Sequence, residues 1–263
     1  MRQLRSIIRA VSLAALTLAM YAVFSAGSVL ALPFARARYR WRCFMFRSWA
    51  RTTARLLGIS IEVRGTPPRP PFFLVSNHLS YVDIVVLASV MDCVFIAKAD
   101  VSRWPVIGAL CRSVGTIFID REKRRDVGRV NALIEEALAS GKGVVLFAEG
   151  TSTEGATVRQ FKPALLEQAA ALRLPVSYSA VSYSTPARET PAHLSVCWWG
   201  DMTFLDHLYA LFGLCGIRAT LAFGPRPIQE GDRKLLAIKL REAVEEQFIP
   251  VVVLEDECSA KAH

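Results

Sequence analysis

No acidic residue occurs before Glu62 in this 263-residue chain, and no charge of either sign lies between Arg9 and Arg36. The six cysteines (Cys43, Cys93, Cys111, Cys197, Cys215, Cys258) include no Cys-x-x-Cys pair, and the four histidines are not at ligand spacing. Neither a zinc site nor a disulfide framework is indicated, and reduced thiols in a cytosolic domain are the economical expectation. Internal repeats and low-complexity tracts are also missing. The missing acids decide where the charge sits. Ten arginines, from Arg2 to Arg55, precede Glu62, so a net charge of +9 leaves the remainder of the chain at −1. A nucleic-acid binder usually carries its charge on the folded body or on a soluble polar arm. Here the arginines flank and interleave apolar residues, which points to an anionic membrane surface and away from nucleic acid.

The uncharged run at residues 10–35 is long enough to cross a bilayer, which needs about 20 apolar residues. Three arginines precede it and seven follow, so the positive-inside rule places the body on the cytoplasmic side of the cell inner membrane. Gly27 and Pro33 leave a re-entrant hairpin open. A cleaved secretory signal fits less well, because the apolar run is long and an arginine-rich helix follows directly. Residues 39–57 are amphipathic, with Arg47, Arg51 and Arg55 at four-residue steps among Phe44, Phe46 and Trp49, as expected of a helix in the headgroup layer. The expected organisation is an anchoring arm over 1–58, a catalytic domain over 59–254 and a disordered tail over 255–263.

Beyond the arm, strands are expected at 59–63, 72–75, 94–97, 116–119, 144–147, 176–183, 194–199 and 218–223. A proline-rich linker fills 67–71. Helices are expected at 81–90, 126–140, 164–173 and 234–248, with a short helix or loop at 104–112. The apolar stretch 204–214 either lines an acyl tunnel or fills core, core being the safer reading. Strands alternating with helices give an α/β class: a mixed sheet flanked by helices. Ligands of such sheets gather outside the strand ends.

Ser76-Asn77-His78-Leu79-Ser80-Tyr81-Val82-Asp83 stands at one such end. A histidine is delivered from a strand into a turn, and a carboxylate five residues on can fold back onto one ring nitrogen. Such a pair suits taking a proton from an alcohol. A histidine with a purely structural role shows the same spacing, so the pair needs company.

Three further stretches supply it. Asn77-His78-x4-Asp83 resembles the first motif of the glycerolipid acyltransferases of the 1-acylglycerol-3-phosphate acyltransferase type. Gly115-Thr116-Ile117-Phe118-Ile119-Asp120-Arg121 resembles their second, Phe147-Ala148-Glu149-Gly150-Thr151 their third, and Leu174-Pro175-Val176 the start of their fourth. The resemblance covers residues 72–183 in the family's order and spacing, and continues faintly through Trp198-Trp199-Gly200-Asp201-Met202 and Phe223-Gly224.

The resemblance implies acyl transfer from acyl-CoA or acyl carrier protein to the hydroxyl of a lysolipid, with no cofactor and no metal. His78 would act as base, and Asp83 would orient it and stabilise the imidazolium. Asn77 would brace the turn or donate to the oxyanion, and Lys98 and Arg121 would contact phosphate. Glu149 would hold glycerol hydroxyls or neighbouring basic groups, or cap a helix, while Gly150 and Thr151 complete that substrate-binding turn. A carrier protein, being acidic, would also be drawn to the arginine arm.

Three positions depart from the family pattern. Ala148 and Tyr178 replace prolines, and Ser152 replaces an arginine that helps hold the acceptor phosphate, with Arg159 or Lys162 as nearby substitutes. The first expectation is 1-acylglycerol-3-phosphate as acceptor, giving phosphatidic acid. A lyso-ornithine lipid is the alternative. An inactive lipid-binding protein and a thioester hydrolase are the rivals of other kinds.

Overall fold

The computed structural model describes residues 1–31, 33–120 and 124–252. Arg121 and the tail at 255–263 lie outside the described residues.

The chain begins with two long helices, α1 (Arg2–Leu30) and α2 (Ala35–Leu57). Their side chains pair in antiparallel order. Trp49 Nε1 donates to Thr17 Oγ1 at 3.0 Å, and Trp41 Nε1 donates to the Phe24 carbonyl at 3.0 Å. The two helices are therefore a hairpin. α1 is the one described helix long and apolar enough to cross a membrane. α2 ends on Gly58, whose φ of 72° is open to glycine at little steric cost.

The body alternates strands and helices: β1 (Ile59–Arg64), β2 (Phe72–Ser76), α3 (Val82–Val90), β3 (Cys93–Lys98), α4 (Ile107–Ser113), β4 (Ile117–Ile119), α5 (Arg124–Ala139), β5 (Gly143–Phe147), α6 (Glu167–Ala171), β6 (Val176–Ser184), α7 (Ala192–Ser195), α8 (Phe204–Phe212), β7 (Ile217–Phe223) and α9 (Arg233–Gln247). The seven strands form one sheet in the order β1-β7-β6-β2-β5-β3-β4. Every neighbouring pair is parallel except β6 and β7, so the sheet is mixed, as expected. β2 and β5 are buried throughout and read as unbroken apolar runs, the signature of central strands covered on both faces. Edge strand β1 becomes exposed after its first residues.

The arm does not stand apart from this body. Ala50, Ala54 and Leu57 of α2 belong to the same core as the sheet. At its other end α1 docks on α8: Arg9 donates to the carbonyls of Phe212 and Leu214 at 3.1 and 2.6 Å.

Three elements differ from expectation. Residues 194–199 are not a strand. Pro191 precedes the single helical turn α7, and the chain then runs irregularly, with Trp198 N donating to the Leu79 carbonyl at 2.8 Å. Neighbours Val196 and Cys197 are both buried, which a strand with one solvated face would not permit. Residues 164–173 divide into a 3-10 turn, Pro163–Leu166, and the short α6, because Pro163 opens a tight turn and Arg173 adopts φ 47°. The stretch 204–214 divides by face: Leu211, Phe212 and Leu214 are core, whereas Leu205 and Tyr209 are exposed.

Candidate active site

β2 and β5 pair in parallel with Ser76 opposite Phe147, so the turns that follow them emerge side by side at one edge of the sheet. His78 leaves the end of β2, Glu149 follows β5, and their backbones are tied together. The His78 N–H donates to Glu149 Oε1 at 2.8 Å, and the Arg159 N–H donates to Oε2 at 3.1 Å. Thr153 N in turn donates to the His78 carbonyl at 3.0 Å. The two turns are thus locked to each other before any side-chain chemistry begins.

The imidazole stacks on Phe147, ring centroids 4.1 Å apart. Its Nδ1 lies 2.7 Å from Asp83 Oδ2 and donates to it. The carboxylate is fully buried, whereas the histidine side chain retains 21% of its exposure. Asp83 sits in the first turn of α3, and its Oδ2 also accepts from the N–H groups of Leu79 and Ser80 at 2.8 and 3.1 Å. Oδ1 accepts from the Tyr183 hydroxyl at 2.7 Å. Four donors therefore hold one carboxylate, a satisfied arrangement for a buried charge. With Nδ1 committed as donor, the Nε2 lone pair is the one left for a substrate proton.

Glu149 is only 3% exposed. Burial raises its pKa to about 7, the Asp83 charge adding to the shift and the two backbone N–H donors opposing it. Its carboxyl acts inside the fold by placing the His78 backbone. Of the roles expected for it, these bonds show one within the fold: its two oxygens hold the backbones of His78 and Arg159. Asn77 takes the first of its two expected roles. Its Nδ2 donates to the Val181 carbonyl at 2.9 Å and its Oδ1 accepts from Val181 N at 2.7 Å, so the amide braces the turn against β6.

The other expected residues lie around the rim. Gly150, at φ 81°, makes the turn after β5, and Thr151 beside it is exposed. Lys98 ends β3 at the same edge of the sheet, ion-paired with Asp100 at 2.6 Å. Arg159 directs its guanidinium to Glu154 at 3.4 Å, and the Lys162 side chain is exposed.

Three contributors escaped the sequence reading. Tyr183 closes the shell of Asp83 from β6, one hundred residues away, and no local pattern marks it. The Arg159 backbone holds Glu149 from ten residues on. Tyr81, inside the first motif, hydrogen-bonds His207 Nδ1 of α8 at 2.9 Å. Burial lowers the pKa of that histidine.

A family model described as Acyltransferase matches residues 60–182, spanning the turns just described. Lyso-ornithine lipid O-acyltransferase of Pseudomonas aeruginosa is 33% identical over 75% of this chain and 76% of its own length. The 1-acyl-sn-glycerol-3-phosphate acyltransferase of Neisseria meningitidis is 32% identical over 72% and 74%. The chain belongs to the acyltransferase family. The crystal structure of PlsC, the 1-acyl-sn-glycerophosphate acyltransferase of Thermotoga maritima, shares the fold of this acyltransferase. It superposes with a TM-score of 0.65 over 94% of this chain and 97% of that one, at 19% identity. The lyso-ornithine lipid O-acyltransferase of Rhizobium meliloti, 34% identical, matches 70% of the acyltransferase and 66% of its own length.

Proposed function

We propose that this acyltransferase transfers a fatty acyl group from acyl-CoA or acyl carrier protein to the free hydroxyl of a lysolipid, and that the acceptor is a lyso-ornithine lipid. His78 Nε2 removes the hydroxyl proton as the oxygen attacks the thioester carbonyl. Asp83 stabilises the imidazolium that results. The tetrahedral intermediate collapses, the C–S bond breaks, and the imidazolium returns its proton to the departing thiolate. The acceptor is the nucleophile, so no acyl-enzyme forms.

One observation carries the choice of acceptor. Ser152 stands where the resemblance places a phosphate-binding arginine, and the next arginine along the chain, Arg159, is already directed at Glu154. A phosphomonoester would lack its bidentate partner there. Relatives named lyso-ornithine lipid O-acyltransferase match at 32 to 34% identity, which supports this reading. The second reading, 1-acylglycerol-3-phosphate giving phosphatidic acid, has the two Neisseria relatives in its favour at 31 and 32%.

The hairpin supports attachment to the cytoplasmic face of the inner membrane, lying in the interface. α2 packs along α1 and carries seven arginines, Arg36 to Arg55. Drawing guanidinium groups to the bilayer centre costs about 2.5 to 3.5 kcal/mol each. Arg47 and Arg51 bond to Asp92 and to the Ser89 carbonyl of the body, and a hairpin in the headgroup layer keeps α1 against lipid and the other arginines near phosphate.

The test is a competition. Membranes containing the acyltransferase receive labelled acyl-CoA or acyl carrier protein together with lyso-ornithine lipid and 1-acylglycerol-3-phosphate. Labelled ornithine lipid is the expected product, and His78→Ala should reduce it by roughly 10² to 10⁴. Labelled phosphatidic acid alone would replace the first reading with the second. Free fatty acid formed without an acceptor would make the protein a hydrolase.

A further inference from the structure

α8 leaves the catalytic edge and ends on the arm. Its first residue, Phe204, is the centre of an aromatic collar, with ring centroids 5.1 Å from Tyr81, 5.4 Å from Trp104 and 6.1 Å from Trp198. Trp104, Trp198, Tyr81 and Phe204 are all only partly buried. Two bonds fasten the collar to the catalytic turn: the Trp198 N–H to the Leu79 carbonyl at 2.8 Å, and Tyr81 to His207 at 2.9 Å. Leu205 and Tyr209, one turn apart, are 74% and 46% exposed, and Val106 in the loop after Trp104 is 72% exposed. Exposed side chains of this size rarely cluster on a soluble monomer without a role.

The far end of α8 says what covers them. There α8 meets the first turns of α1, with Gly213 against the side chains of Arg2 and Ser6 and with Arg9 bonded to Phe212 and Leu214. Leu4, Ile7, Ile8 and Val11 of those turns are exposed as well. The apolar surface therefore continues from the catalytic collar along α8 onto the helix proposed to lie in lipid. Arg2, Arg5 and Arg9 stand at the joint, where lipid phosphates would meet them. The one acid on α8, Asp206, accepts from Thr203 at the helix start. Partly wet tryptophan and tyrosine rings beside such a surface are the composition of a membrane–water boundary.

We infer that the exposed face of α8, with the Trp104–Val106 loop and its aromatic collar, seats directly in the lipid bilayer and forms the rim over which a lysolipid reaches His78. The occupant is the bilayer. This rests on the membrane reading of the arm, and the test separates the two.

The full-length protein carries Cys111→Ser, Cys215→Ser and Cys258→Ser together with a single environment-sensitive label, at Leu205→Cys on α8, at Leu18→Cys on α1, or at Ile238→Cys on the exposed side of α9. Each is mixed with anionic phosphatidylglycerol vesicles, with and without brominated acyl chains. Labels at 205 and 18 should shift to the blue and be quenched several-fold by bromine, whereas the label at 238 should not respond. Quenching at 18 without quenching at 205 overturns the α8 rim and leaves the arm's attachment standing. No quenching at either overturns both. Protection of 205 that needs no lipid and grows with protein concentration assigns the face to a second copy and also overturns the rim. In the same vesicles Leu205→Glu with Tyr209→Glu should lower turnover of embedded lysolipid at least tenfold, and Ile238→Glu should leave it unchanged. Equal turnover in both variants, each with a wild-type unfolding midpoint, would count against the rim.

Discussion

Among the described residues no arginine or lysine pairs with Asp83; four hydrogen bonds hold it, three of them from its own turn and one from Tyr183. Tyr183→Phe should leave Oδ1 buried and short of its donor, costing about 1 to 3 kcal/mol in a denaturation experiment. It should lower kcat with KM little changed, because no substrate contact is lost. Asp83→Asn should be worse. Its amide cannot accept from Leu79 N, Ser80 N and His78 Nδ1 together, and activity should fall by roughly the 10² to 10⁴ expected for losing a general base. Glu149 gives a pH signature. Its pKa rises from 4.5 to about 7 on burial, so below pH 4.5 folded and unfolded chains both hold the proton. As pH climbs towards about 7 only the folded chain holds it, so stability declines across that window, by up to about 3 kcal/mol in all. Glu149→Gln should flatten that decline when unfolding is measured at pH 5 and pH 8. The His78–Asp83 pair was legible because five residues separate it. The partners of Asn77 lie 104 residues away, where spacing carries no information.

At the scale of elements, amphipathic and apolar patterns located most strands and helices, and each exception has its own cause. In residues 194–199 Val196 and Cys197 are buried together while Leu194 is exposed, and the backbone bonds to the first-motif turn and not into a ladder, so a run of hydrophobic residues there did not mean a strand. Two elements carry direct tests. Gly27 of α1 lies under the Trp41 ring, where a Cβ would fall 2.3 Å from the ring. Gly27→Leu should therefore push α1 off α2 and expose Trp41, seen as a red shift of its fluorescence. Asp232 caps α9, its Oδ1 accepting from Lys234 N and Leu235 N at 2.7 and 2.9 Å. Asp232→Ala should cost about 1 kcal/mol with no change in activity.

For the molecule as a whole, both ends of α1 bear on topology. Its arginines at positions 2, 5 and 9 rest on the body, and its far end turns back through α2. An affinity tag on the N-terminus should therefore be open to protease on the same side of the membrane as the catalytic domain. In sealed right-side-out vesicles neither should be cleaved; in inverted vesicles both should. A tag cleaved on the side opposite the domain would show that α1 crosses the bilayer.

The chain by itself determined the α/β class, the basic apolar arm, and the histidine and carboxylate of the first motif, because each depends on residues within a few positions of one another. Only the tertiary structure decided which backbone groups Asn77 and Glu149 hold, since those groups come from distant strands and loops. It also decided that α8 joins the catalytic turn to the arm. Sheet order brought those parts together, and sheet order is set by packing between segments far apart in sequence, which periodicity along one segment cannot express.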